Sequence, residues 1–90
     1  MTAQEMETII DKAGLYRTEI AALFKITRQT LRRWLLDMPP RNEYIYQRAV
    51  GICTLLRKGV EKGFFPLPPG TPSKERRRLT RERLKLLMNG

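Results

Sequence analysis

The chain has 90 residues, 18 of them Lys or Arg and 9 Asp or Glu, for a formal net charge of +9. That length allows one small domain with a modest core and excludes a large enzyme with a deep cleft, while the charge points to an anionic partner. Histidine is absent and cysteine occurs once, which removes Ser-His and Cys-His catalytic pairs, His-ligated metals, Cys-rich zinc sites and an internal disulfide; no enzyme activity, metal or cofactor is expected.

Met6, Ile9, Ile10 and Ala13 keep the i, i+3, i+4, i+7 spacing of an amphipathic helix. The spacing predicts a helix over Ala3 to Ala13, with Thr2 and Glu5 as a capping box and Gly14 closing it. A second helix is expected from Thr18, its N-cap, with Glu19 in the first turn and Ile20, Ala21, Leu23 and Phe24 facing inward. Lys25-Ile26 reads as a turn. Thr27 is the next N-cap, and Arg28 to Leu36 form a third helix that buries Leu31, Trp34 and Leu35. Pro39-Pro40 ends it.

Asn42 is read as the cap of a longer helix, Glu43 to about Lys58 or as far as Lys62, with Ile45, Ala49, Ile52, Cys53, Leu56 and Val60 as its stripe. Gly59 and Gly63 mark its fraying end, and Cys53 reads as an inert buried thiol. Tyr44 and Tyr46 fall off the stripe, which leaves open whether they line a partner surface or cover the domain. Residues 64–72 hold four prolines and read as a linker or extended arm, part of which packs back through Phe64, Phe65 and Leu67. Ser73 caps a last basic helix, Lys74 to Met88, whose apolar residues form only a ragged stripe. The expected architecture is all-α: a compact domain of four to five helices over residues 1–63, a Pro-rich segment over 64–72 and a basic C-terminal helix or tail over 73–90.

The charge is unevenly placed. Residues 1–27 are nearly neutral, while residues 28–42, with Arg28, Arg32, Arg33 and Arg41 against Asp37, and residues 64–90 are both strongly basic. Such clustering favours localised binding over general solubility. The first residues lack the profile of a signal peptide, and no run approaches the ~20 apolar residues of a membrane span. A cytoplasmic protein with no membrane partner is expected.

The informative stretch is Arg17 to Leu36. Two short helices joined by a tight turn must share a buried face: Ala21 is small where they cross, Phe24 closes the first, Ile26 plugs the turn, and Leu31, Trp34 and Leu35 pin the second. Arg28, Gln29, Arg32, Arg33 and Leu36 are left facing outward. This pattern, and above all Ile26-Thr27-Arg28-Gln29-Thr30-Leu31-Arg32-Arg33-Trp34, resembles the helix-turn-helix of the Cro/repressor family of phage and bacterial transcription regulators. The motif covers about twenty residues, and the flanking helices extend the likeness more weakly to residues 3–63. One position departs: Lys25 stands where the family usually has Gly. A positive φ strains a residue with a Cβ, which leaves room for a turn of another shape.

The resemblance implies that the third helix enters the major groove of double-stranded DNA. Arg pairs with guanine O6 and N7 and Gln with adenine, so Arg28, Gln29, Arg32 and Arg33 are the expected base contacts. Arg17, Thr27 and Arg41 are expected on phosphates, Thr27 through its hydroxyl and the helix N-terminus. Arg76, Arg77 and Arg78 are the candidate tail contacts. The implied protein is a small repressor acting by operator occupancy at the nucleoid of a bacterial cell, as a homodimer, with RNA polymerase as a further partner through Tyr44, Tyr46 or the tail. Two other readings fit the same residues: a phage DNA-processing accessory protein of excisionase or small-terminase type, and a basic module that captures an acidic protein. A MerR-like winged form needs a wing that Met38-Pro39-Pro40-Arg41-Asn42 is too short to supply.

Overall fold

Thr2 starts the first helix as its sequence requires: its hydroxyl accepts the Glu5 N–H at 3.1 Å, and the Glu5 carboxylate reaches back to the Thr2 N–H at 3.4 Å. The resulting α1 (Ala3–Ala13) buries Met6, Ile9, Ile10 and Ala13 and closes on Gly14 at φ 68°, a left-handed turn that glycine takes without steric cost. In the computed structural model, which describes residues 1–36 and 43–89, four more helices follow: α2 (Arg17–Phe24), α3 (Arg28–Leu35), α4 (Tyr44–Glu61) and α5 (Ser73–Asn89). The described residues are all-α. The expected Pro39-Pro40 stop, the Asn42 cap and the Arg41 contact lie outside them.

α2 starts earlier than expected. Its N-cap is Tyr16, not Thr18, because the Glu19 carboxylate accepts the Tyr16 N–H at 2.8 Å and so holds the third helical position. At its far end Ile26 N–H donates to Ala21 O at 3.0 Å and Lys25 N–H to Ala22 O at 3.2 Å, the paired bonds of a Schellman stop. Lys25 therefore takes φ 59°, ψ 44°, and the turn keeps the left-handed shape despite its side chain. A Cβ in this region is unfavourable by about 1–2 kcal/mol, partly offset by the extra chain entropy glycine would lose. Lys25→Gly is expected to stabilise the protein by about 0.5–1 kcal/mol, read as a higher urea midpoint at unchanged slope.

α4 runs through Gly59 to Glu61 with Lys62 as its C-cap, the longer of the two expected ends. Gly59 is buried because the Phe65 ring lies against it: a Cβ built there would meet Phe65 Cδ2 at 2.6 Å and Leu87 Cδ1 at 3.2 Å. Tyr46 is likewise core, not surface. Its ring packs edge-on against Trp34 with centroids 5.2 Å apart, and its hydroxyl donates to Met1 O at 3.0 Å. Tyr44, by contrast, is 82 % exposed.

The core runs past residue 63. Phe65 and Leu67 of the irregular segment, and Leu84 and Leu87 of α5, are buried with Ile10, Ile20, Phe24, Leu31, Trp34, Cys53 and Leu56 in one cluster. α5 begins at Ser73, one residue before expectation. Arg76 N–H donates to Pro72 O at 2.9 Å, which puts Pro72 and not Ser73 at the capping position. Cys53 is fully buried, and burial pushes its thiol up to about 12, so it stays protonated and unreactive at neutral pH. Among the described residues no helix is long and apolar enough to cross a membrane.

Candidate nucleic-acid interface

α3 is fastened by two side chains. Leu31 and Trp34 are buried, and Trp34 lies between Phe24 of α2, at 6.3 Å between centroids, and Tyr46 of α4. At about 100° per residue, this anchoring leaves Arg28, Arg32, Leu36, Gln29 and Arg33 on an outward arc of about 140°. All five are exposed, and none of the three arginines forms an ion pair with a described residue. Leu36, 65 % exposed, sits near the middle of the arc, where its apolar side chain matches the chemistry of a thymine methyl.

Arg28, Gln29 and Arg32 border one groove of ≈ 510 Å³ together with Arg17 of α2 and Glu7 of α1. Arg33 points to the other flank and does not line it. Arg17 is ion-paired with Asp11 at 3.2 Å, both side chains being well exposed. Such a pair contributes little, so Arg17 is free to exchange Asp11 for a phosphate.

The N-terminus of α3 is electrostatically unlike the others. α1, α2 and α5 each carry a Glu in the first turn, and Glu43 caps α4, as the positive end of a helix favours. α3 has no acid there and begins on Arg28. Thr27 caps it by accepting the Thr30 N–H at 3.1 Å, while its own hydroxyl donates to Thr30 Oγ1 at 3.0 Å. The Thr27 hydroxyl is thus engaged within the cap. The Arg28 and Gln29 N–H groups, which have no intrahelical partner at this position, are what the helix end offers an anion.

The tail arginines separate into three environments. Arg76, a candidate tail contact, is turned inward. Its Nε donates to Glu19 Oε2 at 2.9 Å, its Nη2 to Glu19 Oε1 at 2.8 Å and to Gly14 O at 3.1 Å, and its guanidinium lies 4.4 Å from the Tyr16 ring centroid. It is a tether from α5 to the start of α2 and cannot also hold a phosphate. Arg78 is exposed but flanked by its own helix's acids, Glu75 at 2.5 Å and Glu82 at 3.0 Å. Those i+3 and i+4 spacings were already visible in the sequence. Only Arg77 of the three is exposed and without an ion pair to a described residue. Lys74, Arg81 and Lys85, which share its face, had not been singled out; helical spacing from Arg77 would have found them.

Among the described residues no cluster of three or more His, Cys, Asp or Glu side chains is placed to hold a metal ion. No protein-family model, curated protein or solved structure matches this chain.

Proposed function

We propose that the protein is a sequence-specific double-stranded DNA-binding regulator that inserts α3 into the major groove and acts by occupying its operator. The observation that carries this reading is the outward face of α3: Arg28, Gln29, Arg32, Arg33 and Leu36 exposed on a helix whose N-terminus carries Arg in place of the acid found at every other described helix start. Arg28, Gln29 and Arg32 are the base contacts; Arg33, on the far flank, divides between base and phosphate. Arg17 and the first N–H groups of α3 hold phosphates.

At a rise of 1.5 Å per residue, eight residues of helix span about 12 Å, the length of only three or four base pairs at 3.4 Å each. One copy therefore reads a short half-site, and a homodimer on two half-sites about one helical turn apart supplies the missing specificity. The test is selection of bound sequences from a random duplex pool at physiological salt, with the molar mass of the complex measured by light scattering. An enriched motif of two short inverted halves, bound by two chains, is the expected result; a pool that stays random overturns the reading.

A further inference from the structure

We infer that the solvent face of α5, formed by Lys74, Arg77, Arg81 and Lys85, is a second DNA-docking surface that seats the phosphate backbone flanking the bases read by α3. The inference rests on the proposed DNA-binding role and adds to it a site, a ligand chemistry and a reason for the C-terminal helix.

The four side chains lie at steps of three, four and four residues, one per turn, and so form a single strip of positive charge roughly 16 Å long. All four are exposed, and none forms an ion pair with a described residue. The reason lies in how α5 spends its acids. Glu75 and Glu82 both bind Arg78, and Arg76 is turned inward to Glu19. Arg78 and Glu82 border the same groove as the four strip cations, but the acids of α5 are taken up by Arg78, and the four cations themselves are left without an ion pair to a described residue.

The strip lies beside α2, the partner of the reading helix. Arg77 and Arg81 line a groove of ≈ 530 Å³ whose other wall is Thr18 and Ala22 on the exposed side of α2. The groove on the opposite flank of α2 holds Arg17, Arg28 and Arg32. α2 is thus a ridge with the α3 arginines on one side and the α5 arginines on the other. Both are held to it, α3 by the shared core and α5 by the Arg76 tether. A duplex carries one negative charge per ≈ 1.7 Å of axis and a major groove ≈ 12 Å wide, so a strand rim beside the inserted helix is the complement of a straight row of cations. The charged face of the row fits phosphates better than bases, and it adds affinity without sequence preference.

The test uses the full chain with Lys74→Gln, Arg77→Gln, Arg81→Gln and Lys85→Gln combined, and a control with Lys12→Gln and Arg57→Gln in the α1–α4 groove to report general charge loss. Affinities for random-sequence duplexes of 12 and 24 base pairs are measured against salt, beside the base preference on a selected sequence. In the four-site variant the slope of log K against log salt is expected to fall by roughly 2–4, at about 0.9 per lost phosphate contact. The gain on lengthening the duplex disappears, base preference is unchanged, and the control keeps nearly the parent slope. Equal slopes and equal length gains in parent and four-site variant overturn the assignment, as does a control that falls as far. Unchanged duplex binding with lost binding to phosphatidylserine vesicles overturns it in favour of a membrane surface. A parent chain that binds random duplex through α5 yet selects no motif refutes the α3 reading alone, so the two failures are distinct.

Discussion

Replacing Arg28, Gln29 and Arg32 together by alanine is expected to abolish base preference while leaving the unfolding transition where it was. Each well-placed paired contact to a base discriminates by about 1–3 kcal/mol. Loss of two or three of them removes roughly 3–6 kcal/mol of specific binding, a factor of about 10² to 10⁴. What remains is the salt-sensitive attraction of the other cations for phosphates. Stability is spared for a reason visible in the fold: the three side chains are exposed and carry no ion pair or cap, and alanine is the better helix former. Arg28 even opposes the helix dipole, so removing it relieves a small repulsion. Competition binding on the selected and a scrambled duplex, with urea unfolding of the same samples, gives the readout. Retained discrimination sinks the base-reading role; an unfolded variant sinks the claim that this face is free of structural duty.

What the sequence disclosed, and what it hid, divides along a physical line. Local rules placed α1 with both its caps, since Thr2, Glu5 and Gly14 act on neighbours within four residues. They also placed α3, because Thr27 is its cap and Leu31 and Trp34 fix which side faces in. The all-α architecture followed from the same periodicity. Long-range partners were not legible. Arg76 and Arg77 are adjacent and chemically identical, yet lie about 100° apart around the helix, so one meets Glu19, 57 residues away, and the other meets water. Gly59 carries a helix-ending signal by composition and is instead the floor on which Phe65 rests. Tyr46 keeps the i, i+3, i+7 spacing with Ala49 and Cys53 and is buried against Trp34, whereas Ile45, expected on the stripe, is 43 % exposed. At Lys25 the cap bonds to Ala21 and Ala22 outweighed the preference of the side chain. Which residues of α3 face outward was readable because Leu31 and Trp34 fix its buried side; which of Arg76, Arg77 and Arg78 stays exposed and unpaired was not, because tertiary partners decide it.

Arg76→Ala is expected to lower stability by about 2–4 kcal/mol, since removing one member of a largely buried ion pair leaves the other without compensation. The Arg76 and Glu19 side chains are only 11 % and 23 % exposed, and Glu19 must also hold the Tyr16 N–H that starts α2. Arg76→Lys keeps the charge but not the two-pronged geometry and is expected to lose about half as much. The pH dependence separates this account from simple loss of packing. Burial acts to raise the Glu19 carboxyl, but hydrogen bonds from Arg76 and the Tyr16 N–H, with the Arg76 charge, outweigh it and hold the group below its ordinary value of 4.5. The folded state therefore binds fewer protons than the unfolded chain. This part of the stability is fully present above the unfolded value and is lost as pH falls from there through the lower folded one. In Arg76→Ala the burial contribution stands unopposed by the guanidinium, so that increment shrinks or changes sign. Urea unfolding of parent and variant at pH 7 and at successive points below pH 4.5 measures it. The gap between the two proteins is expected to narrow with acid; a gap that stays constant overturns the tether. The Arg76→Ala chain also links the two faces of the molecule. With Leu84 and Leu87 still buried, α5 remains docked on α4 but loses its fixed place beside α2, so the salt slope on long duplexes falls while base preference on short ones persists.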